Sequence, residues 1–256
     1  MQVLFVVTVL IIILSICLIL ANYRGHKGEM PGAERITYKG LQIWFPKVDK
    51  LSNNQGDKGG AWGNYTGLTT DRPSKLFQLL ASIIDFNVYN RILDVGCGIG
   101  EIGYEFFLAL GHKVKYIGID AQENLINIAR ANLPYKFLCA DASQLTEKEF
   151  DVDVFMFCGI SRESNVVERV LMSATQPEFI VLEGNRSSFP EVKKIDERVM
   201  QSGKYEKICD ARLYCDSTTK WKEVYFMDRH VHIYRLCRGA CRPLPLSEIT
   251  PYPPDR

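Results

Sequence analysis

The 256-residue sequence has no surplus of either charge: 31 Lys and Arg stand against 30 Asp and Glu, a net +1. That balance leaves no basic excess to hold a polyanionic backbone, which argues against nucleic acid as a partner. Histidine is scarce, at four residues, and the eight cysteines lack the paired C-x2-C spacing of a zinc ribbon. Cys209, Cys215, Cys237 and Cys241 fall instead as C-x5-C and C-x3-C, so unpaired thiols are expected and no metal site. There is no internal repeat. An apolar content of 46% with 24% charged residues excludes a disordered chain. Mean hydropathy close to zero excludes a protein of many membrane spans, though not of one.

One long hydrophobic run is present. Val3 to Ala21 carries no charge, and only Thr8, Ser15 and Cys17 interrupt it weakly. As a helix it would extend about 28 Å, close to the ~30 Å of a bilayer's hydrocarbon core. No Lys or Arg precedes it, and it exceeds the h-region of a cleaved signal peptide. The run therefore reads as an uncleaved transmembrane anchor over residues 1–21. Arg24, His26, Lys27, Arg35 and Lys39 follow it, which places the rest of this single-pass membrane protein on the cytoplasmic side.

Residues 22–70 read as a flexible connector and lid region. LQIWF at 41–45 is either a strand or a surface-lying patch, and the Gly-rich stretch 52–67 lacks periodicity. From Asp71 the pattern turns regular. A helix starting at a proline runs to about Ile84, and strands at 91–96, 113–120, 135–141, 151–159 and 178–184 follow. Helical segments separate most of them, ending in one over 191–203. Two long strand-like runs then follow without a helix between them. The expectation is a doubly wound, Rossmann-like α/β domain over 71–241 with a seven-stranded sheet. That sheet is mostly parallel, with an antiparallel C-terminal hairpin at one edge. Residues 242–256 form a Pro-rich tail.

The chemistry concentrates where strands end. The first delivers Asp94, then Gly96-Cys97-Gly98-Ile99-Gly100, then a helix. Glycines there permit positive φ and close approach of a ligand to the main chain, although a bare strand-to-helix turn would need them too. Gly98, Gly100 and Gly103 also spell a dinucleotide fingerprint with Asp120 at the right remove. Asp94 argues against that nicotinamide reading, because a pyrophosphate would meet its charge, whereas an ammonium or sulfonium would be attracted. Asp120 ends the second strand, where it can accept from ribose hydroxyls. Asp141 ends the third, where it can accept from an adenine amino group. Any one of them could merely cap a turn. Three in succession line one carboxyl-end crevice, where open α/β sheets bind ligands.

On these residues the chain resembles the class I S-adenosylmethionine-dependent methyltransferases, over roughly residues 71 to 238. ILDVGCGIG resembles their first motif, YIGID the acidic ribose motif and FLCAD the adenine-side motif. The late hairpin resembles their antiparallel seventh strand. The resemblance implies S-adenosyl-L-methionine as cofactor, with Gly96, Cys97 and Gly98 lining its methionine part, Gly100 also in the cofactor site, and Asp94 near the amino group, often through water. It implies Asp120 at the ribose with Ala121 beside it, Asp141 and Ala142 at the adenine edge, and Cys158 approaching the reactive methyl.

The fourth strand ends in Phe157-Cys158-Gly159-Ile160-Ser161 and lacks the Asn/Asp-Pro-Pro-Tyr of enzymes that methylate base or glutamine amino groups. No catalytic residue is assigned. Glu183 is a candidate for an acceptor contact or a base, or caps the next turn. Trp62 and Tyr65 are candidates for an aromatic lid. The expected function is methyl transfer at the membrane to a small-molecule, lipid-like or protein acceptor, with a membrane-protein partner conceivable. The competing reading is a methyltransferase-fold scaffold of a membrane complex.

Overall fold

The computed structural model describes residues 30, 33–39, 41–46, 71–158, 165–185, 189–213 and 229–238. The apolar run Val3 to Ala21, the Gly-rich stretch with Trp62 and Tyr65, and the tail lie outside them. Among the described residues no helix is long and apolar enough to cross a membrane. The chain divides into two units, Met1–Lys47 and Val48–Arg256.

The first unit contains an antiparallel hairpin of β1 (Ala33–Tyr38) and β2 (Leu41–Pro46). The LQIWF patch is thus a strand, paired with an AERITY strand inside the stretch expected to be a connector. Lys39 takes a positive φ of 46° in the turn, as two-residue hairpin turns demand. Arg35 stands opposite Trp44, with its guanidinium 4.6 Å from the indole ring centroid.

The second unit is the expected α/β domain. Its strands are β3 (Arg91–Val95), β4 (Lys115–Asp120), β5 (Lys136–Cys139), β6 (Val154–Cys158), β7 (Phe179–Asn185), β8 (Tyr205–Leu213) and β9 (Arg229–Leu236). They form one sheet in the order β5-β4-β3-β6-β7-β9-β8. All pairings through β7 are parallel, whereas β9 runs antiparallel to both β7 and β8. The central β6 is buried at every position, as a strand covered on both faces must be.

The helices are α1 (Arg72–Ile83), α2 (Glu101–Leu110), α3 (Glu123–Asn132), α4 (Val166–Met172) and α5 (Phe189–Gln201). Alternation along the strands sorts the core into two layers. Leu93, Val95, Phe155, Phe157, Ile180, Leu182 and Tyr234 pack with Val166, Val167 and Val170 of α4 and Val192, Ile195 and Val199 of α5. On the other face Phe106 of α2 meets Phe77 of α1, Phe86 and Tyr116 of β4 at ring-centroid distances of 5.2, 4.9 and 6.0 Å. That second face also carries Asp94, and so builds the floor of the site.

One expectation about cysteine is corrected. Cys97, Cys139, Cys158 and Cys209 are free, but Cys237, one residue beyond β9, is disulfide-bonded. The only cysteines left to pair with it lie outside the described residues.

Candidate functional site

Three successive strands carry Asp94, Asp120 and, two residues past β5, Asp141 toward the carboxyl end of the sheet, and the glycine turn after β3 is bonded to Asp120. Gly96, Gly98 and Gly100 have φ of 79°, 56° and 80°, values that side-chain-bearing residues rarely adopt. The turn is pinned to β4 by main-chain bonds: the amides of Gly96 and Cys97 both donate to the Ile119 carbonyl, at 2.7 and 3.0 Å. A Cβ on Gly100 would come within 3.0 Å of Leu133 and 3.1 Å of Phe137. The turn therefore needs glycine there for packing as well as for conformation.

Asp120 closes this arrangement. Its Oδ2 accepts from the Gly98 amide at 3.0 Å and its Oδ1 from the Gln122 amide at 2.9 Å. Burial raises its pKa, and those two amides oppose the rise. Each carboxylate oxygen can still accept a second bond, so ribose hydroxyls remain possible partners. Ala121 follows it, exposed, and its carbonyl accepts a weak bond from the Cys139 thiol. Asp141 is exposed at the end of β5. Its Oδ1 accepts from the Ser143 amide at 2.7 Å, capping a 3-10 turn over Ala142–Gln144, and the Ser143 bonds lower its pKa. Capping and ligand binding are thus both open to it.

Asp94 is 2% exposed. The Tyr116 hydroxyl donates to its Oδ2, and its Oδ1 has no hydrogen-bond partner among the described residues. Burial pushes its pKa up to about 6, against the opposing effects of Tyr116 and of Arg72. Cys97 and Cys158 are buried, with pKa values raised well above the ordinary thiol value, first by burial, so both are neutral thiols. The Cys97 thiol packs toward Gly118 rather than standing free. The Cys158 carbonyl lies across from Gly96, 3.7 Å from where a Cβ on that glycine would sit.

A second cluster lies beside these groups, and only Glu183 of it was singled out by sequence reasoning. Glu183 accepts from Arg72 Nε at 3.0 Å and Nη2 at 2.9 Å, and from Arg229 Nη2 at 2.8 Å and Nε. Arg72 also donates to Glu101 at 3.0 Å. Burial alone would raise the Glu183 pKa, but Arg229 and Arg72 outweigh it and hold the carboxyl far below its ordinary value. Glu183 is therefore a fixed counter-ion and not the base that its strand-end position suggested. One signal for the cluster does exist: Arg229 shares a strand face with the buried Val231 and Ile233, where a charge must have a buried partner.

A family profile described as a methyltransferase domain matches residues 87–229, more than half of the chain. The chain belongs to the methyltransferase domain family. Membership carries the class of reaction that the motifs implied, methyl transfer. A short segment is similar to a probable cobalt-precorrin-6B C(15)-methyltransferase (decarboxylating) of Saccharolobus solfataricus. It is 42% identical over 43 residues, 17% of this chain and 22% of that protein. The chain thus matches only about a fifth of that curated relative's length. Among solved structures, the Pyrococcus abyssi tRNA (uracil-54, C5)-methyltransferase in complex with S-adenosyl-L-homocysteine shares the fold. It superposes with a TM-score of 0.50 at 14% identity, over 82% of this chain and 48% of that one.

The residues of this methyltransferase domain fit the cofactor. The buried Asp94 Oδ1, without a partner among the described residues, is an acceptor open to a donor, and at Gly96, Gly98 and Gly100 the turn beside it presents main chain without a Cβ.

Proposed function

We propose that this chain is a membrane-anchored methyltransferase that takes its methyl group from S-adenosylmethionine. Its acceptor is a small molecule, a lipid-like molecule or a protein at the membrane surface. The observation that carries the reading is the glycine turn after β3, which follows Asp94 and is bonded through the Gly98 amide to Asp120, with Oδ1 of the buried Asp94 left without a partner among the described residues. In this reading Asp94 accepts from the methionyl ammonium, directly or through water, Asp120 from the ribose hydroxyls and Asp141 from the adenine amino group. Gly96 and Cys158 line the approach to the methyl. S-adenosylmethionine supplies an electrophilic methyl on a good leaving group. The protein's task is then orientation and exclusion of water, which supports turnover without an assigned base.

The membrane part rests on the uncharged run Val3 to Ala21 and the basic residues after it, which favour a cytoplasmic catalytic domain. The four free cysteines agree with a reducing compartment, and the disulfide at Cys237 favours the opposite face. Protease protection of the full-length chain in sealed vesicles decides between the two faces.

Calorimetric titration of the detergent-solubilised full-length chain with S-adenosylmethionine, beside Asp120→Ala, tests the site itself. Saturable binding that the folded variant loses supports the reading. Failure of the folded native chain to bind would overturn it and favour the scaffold.

A further inference from the structure

Arg169 lies on α4, outside the motifs that resemble the family's, yet it is bonded to the segment that follows Asp141. Its Nη1 donates to the carbonyls of Ala142 at 3.3 Å and Ser143 at 2.5 Å, and its Nη2 donates to the carbonyl of Leu145. The guanidinium also stands over the Phe150 ring, 5.8 Å from its centroid. One side chain thus collects three carbonyls of the four-residue segment Ala142 to Leu145.

The segment needs such a partner. Ala142–Gln144 form a single 3-10 turn, and the carbonyls at the end of a helical turn have no partner within it. The turn's internal bonds are few: the Gln144 amide to the Asp141 carbonyl at 2.9 Å and the Leu145 amide to the Ala142 carbonyl at 3.3 Å. A planar guanidinium presents five donors in a fixed fork, so it can bind several carbonyls only in one arrangement. The clamp is itself rigidly mounted. Val166, Val167, Val170 and Leu171 bury α4 in the core, and Phe150 is buried beneath the guanidinium. Asp141, by contrast, is exposed and, among the described residues, held only from within the turn, through Ser143.

We infer that Arg169 is a positioning residue for recognition of the adenine. By clamping the Ala142, Ser143 and Leu145 carbonyls to the core, it fixes the carboxylate of Asp141 where an exocyclic amino group must donate. The inference rests on the cofactor reading above. It adds that selectivity for an amino purine is set from α4 rather than by the Asp141 turn alone.

The test is a ratio of affinities measured on the full-length chain. S-adenosylhomocysteine carries the amino donor at position 6 of the purine; S-inosylhomocysteine carries a carbonyl acceptor there. The native protein is expected to favour the adenine compound by about tenfold, the worth of one good hydrogen bond. Arg169→Gln is expected to bring the ratio close to one, as Asp141→Ala does, and Arg169→Lys to give an intermediate ratio, because an ammonium lacks the fork. General loosening of the fold weakens both ligands alike and leaves the ratio in place. If Arg169→Gln does not fold, Arg169→Lys carries the test. A full native ratio in whichever variant folds overturns the inference. So does a native protein that binds the adenine compound without preferring it, since Asp141 then reads no amino group. A native protein that binds neither compound overturns the cofactor reading, and this inference with it.

Discussion

The Tyr116 hydroxyl donates to Oδ2 of Asp94 at 2.5 Å, and Oδ1 of the same carboxylate is left buried without a partner among the described residues. The two side chains come from adjacent parallel strands and lie on the face packed by α1 and α2. A carboxylate half-served in this way is costly, because removal from water penalises the ion and one hydrogen bond repays only part. Its pKa of about 6, against an ordinary 3.8, records that cost.

Stability should therefore respond to pH in a defined direction. Asp94 binds its proton more tightly in the folded state than in the unfolded one, so folding is favoured as pH falls from about 7 toward 4. Asp94→Asn keeps an acceptor for Tyr116 and removes the buried charge. It should raise stability at pH 7 by about 3 kcal/mol, from a shift of roughly two pKa units. The thermal midpoint of the ligand-free chain, followed from pH 7 to 5, should rise for the native protein relative to the variant. Parallel curves would show that Asp94 is not the group responsible.

Donor binding should run the other way. An ammonium is attracted by the ionised carboxylate and not by the acid. The dissociation constant for S-adenosylmethionine should rise up to about tenfold per pH unit below the break near 6. Asp94→Asn should bind weakly at every pH and show no break there. Calorimetry across pH 5 to 8 reads both at once. A native curve flat through pH 6 would separate Asp94 from the ammonium.

Asp94, Asp120 and Asp141 were readable in the sequence because each ends a short apolar run, and the glycines after Asp94 announce a turn that few other sequences can make. The mostly parallel sheet with an antiparallel hairpin at one edge followed from the alternation of strands and helices and its break at the end. AERITY at 33–38 was not read as a strand, since a six-residue segment with charges at two positions gives little periodicity without its partner. The buried ionic cluster was less accessible still. Arg72 lies 111 residues from Glu183, and Arg229 lies 46 residues beyond it, so only the fold makes them neighbours. Its place at a strand end made Glu183 a candidate for an acceptor contact, a base or a cap, because its two arginine partners were not in view.

That cluster gives a third prediction. Glu183 is fully buried and neutralises part of two buried guanidinium charges. Glu183→Gln keeps the shape but leaves those charges under-compensated, and should cost about 3–5 kcal/mol. Denaturant unfolding of the full chain in micelles would show it as a lower midpoint. A loss below about 1 kcal/mol would mean that the two arginines find other partners.

The last prediction separates packing from conformation at two glycines. Gly118 on β4 has no unusual φ, but a Cβ there would lie 2.6 Å from Phe137 Cδ1 and 2.8 Å from the Cys97 thiol. Gly118→Ala must therefore displace Phe137, Cys97 or both, at about 1–3 kcal/mol for overpacking. Cys97 belongs to the glycine turn, and Phe137 also lines the space next to Gly100. The same substitution should thus weaken donor binding as well as stability. Gly111 is the counterpart: its φ is +59°, and a Cβ there meets nothing within 4 Å. Gly111→Ala should cost about 1–3 kcal/mol of backbone strain, since its ψ of −130° lies outside the left-handed helical region, and leave donor affinity unchanged, because it ends α2 away from the turn. Measuring thermal midpoint and S-adenosylhomocysteine affinity for both variants tests the distinction. Equal loss of affinity in the two would mean that affinity follows overall stability rather than the position of Cys97. Loss in Gly118→Ala alone would tie it to the seat of the glycine turn on β4.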